Sequence, residues 1–208
     1  MFFKRLSFSF AFLLALGLAP GAARATLVVD TGTPNNAVGA GWAFNSAHSF
    51  AGQFSLAGGL TINSIQGYFN TDVGSVTISL FSDAEDDDGG FIPGAALKST
   101  TFNTGVGALA WTGASALNWA VGQGTYWVVF TSTYGAGSQV SMPGTAANPL
   151  ANYALTQAGQ WYNAADFGLA QGLRVNASAA AAAVPEPGGM ALFGLGLIGV
   201  GVLTRRRR

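Results

Sequence analysis

The sequence contains no cysteine, a single histidine, and few charged side chains. Without cysteine the chain cannot form disulfides, thiol nucleophiles or thiolate metal sites. One histidine, His48, excludes a His-rich metal centre, and no Gly-x-Ser-x-Gly segment presents a serine as a partner for it. We therefore interpret His48 as a polar surface or loop residue, and expect the fold to be stabilised by its hydrophobic core.

Charge is scarce and unevenly distributed. Charged residues make up 9% of the 208 residues, against about 25% in ordinary soluble domains. The whole chain is formally neutral, yet residues 26–183 contain two basic and eight acidic side chains, a net charge of −6. A segment of this kind lacks the basic patch that binds phosphate backbones, so nucleic acid is not an expected partner.

The N-terminal segment has the three parts of a secretory signal peptide. Two basic residues lie within the first five positions, residues 6–18 form an apolar run, and an Ala-x-Ala cleavage site ends at Ala25. The apolar run is too short to span a bilayer comfortably. The pattern predicts a signal peptide over residues 1–25, with signal peptidase as a partner and Thr26 as the mature N-terminus.

The C-terminal segment combines an alanine-rich linker, a proline motif, an apolar run and a basic end. These are residues 177–183; Val184, Pro185, Glu186 and Pro187; residues 188–204; and Arg205, Arg206, Arg207 and Arg208. The prolines interrupt any incoming helix, and the apolar run is long enough to cross a thin hydrocarbon core. Four arginines are costly to translocate, so they stop the transfer of the chain across the membrane. The pattern predicts one transmembrane helix that leaves the body outside the cytoplasm.

Residues 184–208 resemble the PEP-CTERM sorting signal, with its Val-Pro-Glu-Pro motif, glycine-rich apolar run and terminal arginines. The resemblance implies that exosortase, a membrane protease-transpeptidase, recognises Pro185, Glu186 and Pro187 and removes the tail. It also implies a Gram-negative host that produces exopolysaccharide. The expected location is an inner-membrane-anchored precursor, followed by the cell surface or extracellular matrix.

Residues 26–176 are predicted to form an all-β domain, an antiparallel β-sandwich or jelly roll. Short alternating or apolar runs are separated by Gly, Asn, Pro and Ser, without helical periodicity. Val76, Ile78 and Leu80 alternate with polar residues, as in a half-buried strand. Residues 126–130 are apolar on both faces and predict a central strand. The predicted strands are residues 27–31, 49–56, 61–70, 75–82, 95–102, 124–132, 139–142 and 169–176.

The body also resembles the choice-of-anchor β-sandwich ectodomains of surface proteins. The resemblance covers residues 60–176 and rests on residues 65–70, 80–83, 93–97, Trp119 and 124–127. It implies a sandwich fold and no established enzymatic activity.

Five acidic residues between positions 83 and 88 form the densest polar feature of the chain. Carboxylates on a flexible loop can bind calcium, and Asp83, Asp86 and Asp88 are the candidate ligands. The spacing does not match an EF-hand loop, because Asp88 lies at the glycine position. We expect a solvated acidic loop without a cofactor, and keep calcium binding as the alternative.

Five tryptophans could provide flat faces for sugar rings, although aromatic residues more often fill a sandwich core. Trp161 and Tyr162 are the expected exception, because Gln160 and Asn163 flank them in a polar loop context. The favoured hypothesis is a non-catalytic structural or binding component of the exopolysaccharide matrix and biofilm. The alternative is a secreted polysaccharide hydrolase that uses two carboxylates among Asp72, Asp83 and Asp166.

Overall fold

A computed structural model describes residues 25–35, 41–164 and 168–179. Most of the predicted signal peptide, the whole sorting tail and Asp166 lie outside these residues, as does the helix predicted over 188–204. Across the described ranges, no helix is long and apolar enough to span a membrane.

The described residues form thirteen strands and no helix, and every strand pairing is antiparallel. The all-β, antiparallel prediction is confirmed, while the jelly roll stays a prediction. The strands are β1 Thr26–Asp30, β2 Trp42–Ala43, β3 Phe50–Leu56, β4 Leu60–Thr71, β5 Gly74–Glu85, β6 Phe91–Thr104, β7 Gly107–Ala114, β8 Trp119–Val121, β9 Gly124–Ser132, β10 Ser141–Met142, β11 Tyr153–Gln157, β12 Gln160–Asn163 and β13 Leu173–Ala179.

Two large sheets pack face to face. One has the order β1-β13-β4-β7, with β8 also paired to β4, and the other has the order β12-β11-β3-β9-β5-β6. The core lies between them, where Val76, Ile78 and Leu80 are fully buried as the alternation predicted. Phe69 and Phe130 join the two sheets with ring centroids 6.1 Å apart. Each such side chain stabilises the fold by about 1.5–3 kcal/mol through burial.

Strand β13 extends beyond the predicted domain boundary at residue 176. Ala177 is 1% exposed and pairs with Ile62, and pairing continues to Ala179 beside Leu60. The small Ala177 side chain fits into the core, and backbone pairing with β4 prolongs the sheet to Ala179. The first three residues of the predicted linker are therefore part of the body.

The β5–β6 hairpin folds over the outward face of the six-stranded sheet. Two irregularities interrupt the β5–β6 register, between Leu80 and Phe81 and between Phe81 and Asp83; such bulges bend a strand pair. Near the hairpin tip, Asn163 Nδ2 on β12 donates a hydrogen bond to the Phe91 carbonyl at 3.4 Å. The hairpin thus meets the far edge of its own sheet.

A second, smaller apolar cluster lies on this outward face. We call it the outer cluster; it contains Ala51, Trp127, Val129 and Ala154, with Phe81 and Trp161 packed against them. Trp127 is fully buried, although it faces away from the main core. Burial of Trp127 agrees with the prediction of a central strand at residues 126–130.

Replacing Gly113 with alanine should destabilise the protein strongly. A β-carbon at Gly113 would overlap the carbonyl oxygen of Ile65 on the paired strand β4. Overpacking of this kind costs about 1–3 kcal/mol or more, which thermal unfolding would detect. Gly58→Ala is the control, because its β-carbon meets no heavy atom within 4 Å. Equal melting temperatures for the two variants would contradict this packing.

Tyr153 should make stability depend on pH in the alkaline range. Burial raises its pKa to about 12, although the hydrogen bond from the Leu150 amide opposes that rise. The folded state therefore binds this proton more tightly than the unfolded chain does. The resulting stability is present below pH 10 and is lost as the pH rises from about 10 to about 12. Denaturant titrations should show a steeper decline for the parent protein than for Tyr153→Phe, and parallel curves would contradict the assignment.

Candidate functional site

A groove of about 470 Å³ separates the tip of the β5–β6 hairpin from strand β12. We call it the tip groove. It has an acidic wall on the hairpin and an aromatic wall on β12. It is lined by Glu85, Asp86, Asp87, Asp88, Ile92, Gly159, Gln160, Trp161 and Tyr162. Two features singled out in the sequence, the acidic segment and the Trp161–Tyr162 pair, thus line one groove.

The aromatic wall belongs to the β11–β12 hairpin. Its two-residue turn has positive φ at both Ala158 (53°) and Gly159 (81°), which is the type I′ geometry that suits a tight hairpin. Trp161 packs against the outer cluster, whereas Tyr162 is 46% exposed. Both residues lie on a strand rather than in the polar loop expected from their neighbours. Pairing with β11 fixes their backbone, and as successive strand residues they direct their side chains to opposite faces of the sheet.

The acidic wall is a tight turn organised by Asp86. Its Oδ1 accepts hydrogen bonds from the backbone amides of Asp88 at 3.1 Å and Gly90 at 2.6 Å. The Asp86 amide donates to the Gly90 carbonyl at 2.8 Å, and the Gly89 amide donates to the Asp86 carbonyl. The long loop predicted from the sequence is therefore limited to residues 86–90. Asp87 and Asp88 remain exposed at its tip.

Asp83 lies on β5 and has a separate structural role. Its Oδ1 accepts hydrogen bonds from Trp127 Nε1 and Gln53 Nε2, both at 2.7 Å. Gln53 Oε1 in turn accepts from Asn152 Nδ2 at 2.6 Å. This polar chain crosses three segments of the sheet beneath the folded hairpin. Sequence reasoning missed Gln53 and Asn152, because nothing in their local pattern links them to position 83.

The predicted calcium ligands are not gathered around one point. Asp83 is bound to Trp127 and Gln53, whereas Asp86 is bound to the backbone of its own turn. Within the described part of the chain, no group of three or more histidine or acidic side chains is placed to hold a metal ion. One oxygen of each of these two carboxylates already accepts two hydrogen bonds from neutral donors of the protein.

The carboxylate pair Asp72 and Asp83 cannot flank one glycosidic bond. Asp72 precedes β5 and Asp83 lies near its far end, so the two are roughly 30 Å apart along the strand at 3.3 Å per residue. Inverting and retaining hydrolases need carboxylates about 5–9.5 Å apart. The other candidate, Asp166, lies outside the described residues.

The remaining tryptophans are held by protein contacts. Trp119 is 9% exposed, in agreement with a core role. The Arg174 guanidinium lies 3.8 Å from the centre of the Trp111 ring, and Tyr68 packs beside that ring at 5.4 Å. Arg174 also pairs with Asp30 at 3.1 Å. This stack ties four strands together, and Arg174 covers one face of the Trp111 ring.

His48 lies beside a different, mostly apolar pocket of about 300 Å³, lined also by Trp42, Phe50, Leu155 and Gln157. Its buried Nδ1 atom has no hydrogen-bond partner among the residues that the structure describes. A catalytic histidine would need an orienting partner at that atom. The pocket therefore lacks the arrangement of a nucleophilic triad.

Comparison with known proteins bears on the C-terminal tail. Residues 183–208 match the PEP-CTERM protein-sorting motif. The predicted exosortase-recognition tail is thus confirmed, and it supports an exported protein with a membrane-anchored precursor that is processed to the cell surface. No curated protein and no solved structure matches the chain, and the choice-of-anchor resemblance of the body stays a prediction.

Replacing Asp86 with alanine should loosen the hairpin tip. The substitution removes two hydrogen bonds from backbone amides and should lower the free energy of unfolding by about 1 kcal/mol. Asp86→Asn retains an acceptor oxygen and should lose less. Asp87→Ala is the control, since that side chain is exposed. Identical denaturant midpoints for Asp86→Ala and Asp87→Ala would refute the role assigned to Asp86.

Proposed function

We propose that this chain is an exported surface or matrix protein whose β-sandwich binds extracellular polysaccharide in the tip groove without catalysing a reaction. The sorting motif supports export and surface delivery. The observation that carries the binding proposal is that Trp161 and the partly exposed Tyr162 both line a groove whose other wall is acidic.

The chemistry of the two walls suits a sugar ring. A pyranose has apolar C–H faces and a rim of hydroxyl groups, so it needs an aromatic surface together with hydrogen-bonding groups. Trp and Tyr provide large amphipathic rings, while Gln160 and the exposed carboxylates of Asp87 and Asp88 can accept hydrogen bonds from sugar hydroxyl groups. The volume of about 470 Å³ lies within the usual range for ligand sites.

The charge of the groove restricts the kind of polymer. Glu85, Asp86, Asp87 and Asp88 lie on one wall, and none of the described residues that line the groove is basic. These carboxylates repel anionic polymers over about 10 Å at ordinary ionic strength. We therefore expect a neutral polysaccharide, or one with amino sugars, rather than a uronic-acid polymer.

Tyr162→Ala should weaken polysaccharide binding by about five- to tenfold, because a stacked aromatic contact contributes about 1–1.5 kcal/mol. Tyr162→Phe keeps the ring and should bind nearly as the parent does. Affinity electrophoresis of the mature protein in gels containing neutral, amino-sugar or uronic-acid polysaccharide measures the difference. Both variants should have parental melting temperatures, since Tyr162 is exposed.

Two results would contradict the proposal. Equal mobility of the parent protein and Tyr162→Ala in every gel would remove the groove as a binding site. Release of reducing ends from the same polysaccharides would contradict the non-catalytic role and favour the hydrolase alternative.

A further inference from the structure

One end of the sandwich, here called the tether pole, contains both ends of the described body. Thr26 pairs with Ala177 and Leu60 pairs with Ala179, so the start of β1 and the end of β13 lie together. The turns at residues 57–59 and 122–123 lie at the same end, because Leu60 also pairs with Val121 and Leu56 pairs with Gly124. The turns at residues 72–73, 105–106 and 133–140 lie at the opposite pole.

The chain between the body and the sorting motif is short. Only residues 180–187 separate strand β13 from the predicted span that begins at residue 188, and the nine Cα–Cα steps from Ala179 to residue 188 cover at most about 32 Å. Strand β4 runs between the two poles with twelve residues, a length of roughly 40 Å. This connecting chain, the tether, is therefore too short to let the body turn over and bring the opposite pole to the position of the tether pole.

The charge distribution favours the same orientation. The turns at 57–59 and 122–123 contain Ala, Gly and Gln, and no charged residue. Asp72 lies at the opposite pole, and Asp30 ends β1 beside Arg174, away from Thr26. The folded hairpin turns its carboxylates towards β12. An acidic body next to anionic lipid headgroups is repelled least when it approaches by an uncharged surface.

We infer that the membrane-anchored precursor stands on the bilayer with its tether pole against the lipid headgroups and the opposite pole directed away. The inference rests on the membrane anchoring of the tail and is independent of polysaccharide binding. In this orientation, exosortase meets the body from the tether pole.

Two single-cysteine variants of the tailed precursor test the orientation, since the natural chain has no cysteine. Gly58→Cys labels the tether pole and Gly137→Cys the opposite pole. The pair is well matched, because a β-carbon at either glycine meets no heavy atom within 4 Å and neither glycine has positive φ. Each variant is labelled with bimane and reconstituted into vesicles of phosphatidylethanolamine, phosphatidylglycerol and a headgroup-nitroxide lipid.

We expect nitroxide quenching to be severalfold stronger at position 58 than at position 137. Equal quenching, or stronger quenching at position 137, would overturn the inference. Flotation of the same vesicles distinguishes failure of membrane anchoring from failure of the orientation alone. A precursor that does not float with lipid contradicts membrane anchoring, and the orientation with it.

A precursor with a longer tether tests whether tether length causes the orientation. Twenty Gly-Ser residues inserted after Ala183 add roughly 25 Å of root-mean-square reach, and quenching at position 58 should fall to the level at position 137. A difference that persists in the extended precursor would show that tether length does not set the orientation, and would overturn that part of the inference.

Discussion

The hydrogen bonds accepted by Asp83 are the constraint on which the outward face of the large sheet depends. A carboxylate on β5 reaches the indole of Trp127 and the amide of Gln53, and so holds the hairpin over its own sheet. Hydrogen bonds to a charged acceptor are the stronger kind, and the buried indole N–H would otherwise lack a partner. Without this contact Trp127 would lie on an open sheet face, and the tip groove would lose one wall.

The two walls of the groove have different origins, and this shapes its chemistry. The aromatic wall is rigid because Trp161 is anchored in the outer cluster and pairs with Thr156 across β11. The acidic wall is a tight turn stabilised by one side chain, with neighbouring carboxylates left in solvent. The rigid aromatic wall therefore faces an acidic wall that is hydrated and can adjust. This arrangement suits polymers whose sugar rings repeat while their substituents vary.

The sequence predicts the strongest elements well and misses those whose pattern is weak. Alternation at residues 76–80 and the apolar run at 126–130 predicted β5 and β9, since burial of one or both faces requires those patterns. Strand β7 escaped prediction because small Gly and Ala residues produce little alternation. The β11–β12 hairpin escaped because its turn uses Ala158 where Asn or Asp usually precedes glycine. The tip groove forms only because the β5–β6 hairpin folds over its own sheet, and no local sequence pattern predicts that arrangement.

Strand β13 is the last of the strands in the described residues, yet it lies between β1 and β4 in the middle of its sheet. The five-stranded sheet is consequently incomplete until residues 173–179 have left the export channel. The sorting motif follows within a few residues, so closure of the sheet and arrival of the motif at the membrane are nearly the same event in time. A body that reaches the processing enzyme before β13 has paired therefore still has an open sheet.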